Sequence, residues 1–207
     1  GDSADKLIEN ITPKINNIKV GPYNDESSDM GPVVSKDAYE RINGLIESGV
    51  EEGANLIVDR RNIKLQGYEN GYFIGPCLFD NVKDNMKIYK EEIFGPVLSI
   101  VRAKNYEEGL QLVKDNPYGN GCSIFTRDGD TARNFSSEAN IGMVGVNIPI
   151  PVPVAYFSFG GWKNSIFGGH NAYGMEAIRF YTHTKTITSK WPEGIRSGAQ
   201  FTMPTLG

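Results

Sequence analysis

Apolar residues recur every three to four positions in two stretches near the start of the chain. Leu7, Ile8 and Ile11 set this spacing over Ser3 to Asn17 and predict a helix, which Pro13 weakens toward its far end. Ala38, Ile42, Leu45, Ile46 and Val50 set it again after Ser35. That serine is placed to cap a helix running to about Gly53. The polar run between them, with a Gly-Pro pair at each end, reads as a loop. Short apolar runs then predict strands at ANLIVD, YFIGPCLFD, VLSIV, GCSIFT and GMVGVN. Asn70-Gly71 marks a turn ahead of the second of these. Helices are expected from Tyr106 to Asp115 and from Asp130 to Ala139, the latter capped by Asp128 or Asp130. Strands alternating with helices predict parallel βαβ units and an α/β fold.

The last third breaks the rhythm. Pro149, Pro151 and Pro153 sit at alternate positions and force an extended loop that cannot join a central strand. A glycine-rich turn, FGGHNAYG, precedes a short helix over Met175 to Arg179. The threonine-rich alternation YTHTKTITSKW predicts a strand. Such an edge needs a partner, from another subunit or from the same domain.

Composition narrows the functional classes. The 207 residues are 39% hydrophobic and 22% charged, as in a soluble globular protein. The net charge of −4 comes from interspersed signs, so no basic run favours a nucleic-acid partner. Even IPIPVPVAYF is too short and too proline-rich to span a membrane. No signal peptide is visible. Cys77 and Cys122 fit a reducing compartment and read as buried free thiols. With only His170 and His183, a histidine-rich metal site is not expected.

One segment points to a ligand. KEEIFGPV, Lys90 to Val97, places two carboxylates, an aromatic ring and a Gly-Pro turn just ahead of a strand that none of them helps to form. A carboxylate accepts hydrogen bonds from ribose hydroxyls, and a ring packs on a flat heterocycle. On an extended segment, the spacing Glu92-x-Phe94 puts both on one side, with Glu91 pointing away. The alternative is a helix end followed by a turn, with Glu92 a solvated acid. Gly160, Gly161, Gly168 and Gly169 lack the spacing of a phosphate-binding loop. Asn147 reads as a scaffold residue that fixes the loop after its strand, and Lys163 as one that holds the loop it lies on.

The same segment, with DMGPVVS, GYFIGPCLF, NPYGNGCSIFTRD, VGVN, FSFGGWK and YTHTKTIT, occurs in the order used by the aldehyde dehydrogenase superfamily. The chain resembles that superfamily from about Leu7 to its last residue. The resemblance implies the catalytic lobe of an aldehyde dehydrogenase fold. A partial catalytic domain would span 1–180, and an oligomerisation strand and tail 181–207. It implies NAD as cofactor, with Glu92 on the nicotinamide ribose and Phe94 beside the nicotinamide ring. Phe159 would line the aldehyde tunnel, with Phe157 a weaker candidate; a core aromatic is the alternative for Phe159.

The superfamily's nucleophilic cysteine, in a G-Q-x-C context, has no counterpart here, nor has its dinucleotide-binding domain. No catalytic residue is therefore expected in this chain, which reads as the C-terminal piece of a longer enzyme and as inactive alone. NPYGNGCSIFT, VNIPIPVPVAYFSFGGWKNS and the ending MPTLG resemble the CoA-acylating, methylmalonate-semialdehyde branch. That branch implies oxidation of methylmalonate or malonate semialdehyde in valine or inositol breakdown. Coenzyme A would be the acyl acceptor, and propanoyl-CoA or acetyl-CoA, NADH and CO2 or bicarbonate the products. It further implies a homotetramer built through the C-terminal strand, in a bacterial cytoplasm or a mitochondrial matrix. Three alternatives stand beside it: a non-catalytic lobe that only assembles, a piece of a dehydrogenase that does not use CoA, and a small thiol enzyme using Cys77 or Cys122.

Overall fold

The structure, a computed structural model, describes residues 3–191. The chain divides into two compact units, Gly1–Asn116 with Arg133–Asn140, and Pro117–Ala132 with Ile141–Gly207.

The first unit is a three-stranded sheet between two helices. Helix α1 (Ser3–Asn17) runs straight through Pro13. Helix α2 (Lys36–Glu51) begins at Ser35, whose hydroxyl accepts the Ala38 amide, as its sequence predicts. Strand β1 (Asn55–Val58) pairs antiparallel with β2 (Cys77–Asp80). The short helix α3 (Lys87–Lys90) then leads to β3 (Val97–Ser99), parallel to β2. The period of two in β2 sorts its side chains. Cys77 and Phe79 enter the cluster around Ile42, Leu45 and Ile46 of α2, whereas Leu78 joins Ile15 of α1 and Val58. The antiparallel β1 corrects the expectation of purely parallel strands. No helix lies in the loop between β1 and β2, and a helical crossover is what usually returns a chain parallel.

Helix α4 (Tyr106–Asp115) has the predicted bounds because Asn105 accepts the Glu108 amide and caps it. It is held to residues 133–140 by Tyr106 with Asn134 and by Lys114 with Glu138.

In the second unit, β4 (Tyr118–Gly119) pairs antiparallel with β7 (Trp162–Lys163). Strand β5 (Gly121–Ile124) pairs parallel with β6 (Met143–Val146), and helix α5 (Gly129–Glu138), whose residues from Arg133 on belong to the first unit, lies between them in the chain. Of the two candidate caps for α5, Asp128 is the one used, accepting the amides of Asp130 and Thr131. Asn147, at a positive φ of 55°, exchanges two hydrogen bonds with the backbone of Thr126 through its side chain. It thereby extends the β5–β6 pairing by one rung, a scaffold role exerted on the end of β5 rather than on the loop after its own strand.

Residues 149–154 form the expected loop, and α6 (Glu176–Tyr181) the expected short helix. The predicted strand over 181–191 does not form within the chain. Tyr181 ends α6, residues 182–191 carry no strand pairing, and all are exposed. An edge with no sheet beside it has no ladder to join. Residues 192–207, the rest of the predicted oligomerisation tail, lie outside the described residues.

Gly142 leaves room for the loop that carries Phe159. A Cβ there would meet the Gly160 carbonyl oxygen, which is backbone and cannot rotate away. Gly142→Ala is therefore expected to lower stability by about 1–3 kcal/mol. Thermal unfolding checks it, and an unchanged midpoint would contradict the close approach.

Candidate functional site

The Lys90–Val97 segment is built by the end of α3 and the start of β3. Glu91 caps α3 in an extended conformation and its amide donates to the Lys87 carbonyl, so the chain leaves the helix abruptly. Ile93 is buried in the cluster formed by α2 and β2 and anchors the segment. Glu92 is exposed, and its carboxylate makes no hydrogen bond or ion pair among the described residues. Phe94 is 79% exposed.

The expectation of a simple extended E-x-F alternation is corrected by the backbone. Phe94 has φ 50°, in the left-handed region, so the strand geometry begins only at Val97. That conformation costs a non-glycine residue about 1–2 kcal/mol, and such strain concentrates at ligand-binding positions. The arrangement offers a solvent-facing carboxylate and a solvent-facing ring, two residues apart, on an anchored turn. It suits the recognition of a sugar hydroxyl pair and a flat heterocycle.

Sequence reasoning missed one contributor. Arg41 of α2 donates to the carbonyls of both Glu92 and Ile93. Its partners are backbone atoms more than fifty residues away, so no spacing announces them.

Phe159 lies in the second unit and is half-buried, its ring stacked on Tyr173 at 4.7 Å and 12°. The loop is pinned by Ser158, whose hydroxyl donates to the Tyr173 carbonyl and accepts the Glu176 amide. Phe157 is 58% exposed and meets Tyr156 edge-on. Two surface hollows, one beside His170, Arg179 and His183, the other beside Tyr39, Glu47 and Arg61, contain none of Glu92, Phe94 and Phe159.

Neither thiol has an activated nucleophile's setting. Cys77 is buried, 3.8 Å from Asp59 Oδ1 and 3.7 Å from the Gly75 carbonyl. Burial pushes its pKa up; a hydrogen bond from the Arg60 backbone opposes this most, the Asp59 charge adds to the rise, and Arg61 exerts a smaller opposing pull. Burial also pushes up the half-buried Cys122, only partly offset by Lys163. Both thiols are therefore expected to react slowly with iodoacetamide at neutral pH and quickly once the chain is unfolded. Mass spectrometry of the labelled peptides checks this; rapid labelling of either in the folded chain would contradict it. Among the described residues, no three His, Cys, Asp or Glu side chains come together as a metal site, and no helix is long and apolar enough to cross a membrane.

Residues 1–187 match the model of the aldehyde dehydrogenase family. The chain belongs to the aldehyde dehydrogenase family. It is 52% identical over 204 residues to malonate-semialdehyde dehydrogenase of Pseudomonas aeruginosa, covering 98% of this chain and 41% of that protein. It is 46% identical over 206 residues to the human mitochondrial methylmalonate-semialdehyde/malonate-semialdehyde dehydrogenase (acylating), covering 99% and 38%. Among solved structures it is similar to a protein of Sinorhizobium meliloti 1021, assigned as a methylmalonate-semialdehyde dehydrogenase and complexed with NAD. The identity is 61% and the TM-score 0.88, over 95% of this chain and 40% of that one. It is also similar to methylmalonate-semialdehyde dehydrogenase of Oceanimonas doudoroffii, at 49% identity and TM-score 0.87, over 94% and 40%. The chain thus spans about two fifths of the length of the relatives it matches.

Proposed function

We propose that this chain is the C-terminal catalytic portion of an NAD-dependent, CoA-acylating dehydrogenase of methylmalonate and malonate semialdehyde. The observation that carries the reading is the exposed Glu92–Phe94 pair on its anchored, strained turn, in a chain whose relatives include NAD-complexed members of this family. Bound NAD would supply the hydride acceptor. Glu92 would accept hydrogen bonds from the nicotinamide ribose, and Phe94 would limit the swing of the nicotinamide ring. Phe159, held by Tyr173, would form a fixed apolar wall for the aldehyde.

The overall reaction balances as semialdehyde carboxylate plus NAD+ plus coenzyme A giving acyl-CoA, NADH and CO2. The acyl product is propanoyl-CoA from methylmalonate semialdehyde and acetyl-CoA from malonate semialdehyde. The nucleophile would come from outside this chain, since both thiols here are held in their neutral form by burial. The names of the relatives include both bacterial and mitochondrial proteins, which supports either a bacterial cytoplasm or a mitochondrial matrix. Product analysis of the full-length protein is the test. The reading expects propanoyl-CoA only when CoA is present. Free propanoate formed equally well without CoA would place the protein among the hydrolytic members instead.

Assembly is expected under this reading and under that of a lobe that only assembles, and one observation bears on it. Large apolar side chains of the second unit face solvent, with Phe167 at 97%, Trp191 at 86% and Tyr156 at 83% exposed. Together with the threonine-rich 182–191, which joins no strand among the described residues, this supports assembly into a homotetramer through the terminal segment. Light scattering distinguishes the outcomes: concentration-dependent association supports assembly, and a clean monomer at high concentration opposes it.

A further inference from the structure

Helix α2 grips the Glu92–Gly95 turn through two consecutive residues. Arg41 donates from Nη1 to the Glu92 carbonyl at 3.1 Å and from Nη2 to the Ile93 carbonyl at 2.5 Å. Ile42, fully buried, packs beneath the next part of the turn. A Cβ on Gly95 would lie 2.8 Å from Ile42 Cδ1 and 3.0 Å from its Cγ1, so a side chain there would have to displace the buried Ile42. Ile93 enters the same apolar cluster. Residues 92, 93 and 95 are thus held from below, and Phe94 is the member left to project, at φ 50°.

A guanidinium is planar and presents its donors as a rigid fork. Two bonds to neighbouring carbonyls therefore fix the tilt of the turn as well as its position. An ammonium at the same place is a single compact charge and would not impose that geometry. Carbonyls held toward α2 also prevent the peptide planes on either side of Ile93 from flipping, which would redirect Glu92 and Phe94 together.

We infer that Arg41 is a positioning residue for cofactor binding, setting the backbone from which Glu92 and Phe94 reach the nicotinamide riboside. The inference rests on the reading of Glu92 as the ribose acceptor. Arg41 itself touches only protein carbonyls; its effect passes through the turn. Misplacement of a binding group by about an ångström is enough to cost an enzyme tenfold or more.

The test is a double-mutant cycle of Arg41→Ala with Glu92→Gln in the full-length protein, read as kcat/KM for NAD. Arg41→Ala alone is expected to lower it roughly tenfold. Arg41→Lys recovers part of the loss, because lysine can reach one carbonyl but not bridge two. In the Glu92→Gln background the same Arg41→Ala change costs at least about threefold less, since its principal client is already disabled. An arginine that only stabilises the fold gives equal losses in both backgrounds, and that result overturns the inference, as does Arg41→Ala at wild-type kcat/KM. Glu92→Gln at wild-type kcat/KM overturns the ribose reading itself and the inference with it. Should Arg41→Ala not fold, the cycle is run with Arg41→Lys, and additive losses again overturn the inference.

Discussion

Replacing Arg102 by methionine is expected to lower the stability of the chain clearly, because it strips the partner from a buried carboxylate. The reason lies at the end of β2. Asp80 is 3% exposed, and Arg102 meets it in a two-pronged pair, Nε to Oδ1 at 2.8 Å and Nη2 to Oδ2 at 2.8 Å. The third bond of Arg102, to Asp5 of α1, is exposed at its acidic end and contributes little. Without Arg102 the Asp80 carboxylate stays buried with only the Asn81 amide beside it. An uncompensated buried charge is unfavourable, and water reaching the partly exposed Arg102 side of the pair moderates the loss. Removing both charges, as Asp80→Leu with Arg102→Met, should cost less than removing the arginine alone. Denaturant unfolding of the two variants checks this, and equal stability of Arg102→Met and wild type would refute it.

The same pair sets a pH dependence. The hydrogen bonds and charge of Arg102 hold the Asp80 carboxyl below the usual carboxylate range. A carboxyl whose pKa is depressed on folding contributes stability that is complete above its unfolded value, about 4, and is lost as pH falls through the folded value. Wild-type stability should therefore fall on acidification below about pH 4, and the gap between wild type and Arg102→Met should narrow over the same range.

The second large effect concerns the cofactor. In the full-length protein, Glu92→Gln is expected to reduce kcat/KM for NAD roughly ten- to hundredfold. A charge-assisted hydrogen bond is worth about 1.5–3 kcal/mol, and the amide that replaces the carboxylate is a weaker acceptor. Glu91→Gln is the internal control. It is adjacent and exposed as well, but has no assigned part in binding, so its kinetics should stay near wild type. Equal losses at Glu91 and Glu92 would mean that the segment contributes only general charge.

Much of the fold is legible in the sequence where local chemistry decides it. Ser35 and Asn105 each fix a helix start by accepting an amide three residues on, and those starts are readable from residue type alone. The parallel pairing of β5 with β6 is readable because their apolar runs and the Asp128 cap between them fall at regular spacing. Legibility fails where distant parts decide. The antiparallel pairing of β1 depends on how an irregular loop returns, and no residue in that loop states its direction. Phe94 has the β preference of an aromatic, yet α2 holds its neighbours in a turn that drives it left-handed. The terminal alternation has strand composition, but pairing also requires an edge to pair with.

The candidate site divides in the same way. Glu92, Phe94 and Phe159 are candidates through motif resemblance alone, and the structure adds what holds each in place: Ile93 and Arg41 beneath the turn of Glu92 and Phe94, Tyr173 stacked on Phe159. None of these supporting contacts has a short-range signature. Arg41 bonds to carbonyls, which every residue carries, so only the folded chain reveals the choice of partner.

On the proposed function, Glu92 and Phe94 face NAD and the nucleophile comes from outside this chain. The most direct test is NADH formation by the chain alone with methylmalonate semialdehyde, NAD and coenzyme A, beside the full-length protein under the same conditions. No NADH is expected from the chain alone, and CoA-dependent turnover is expected from the full-length protein. CoA-dependent turnover by the chain alone would contradict this reading, because Cys77 or Cys122 would then be a working nucleophile despite its burial.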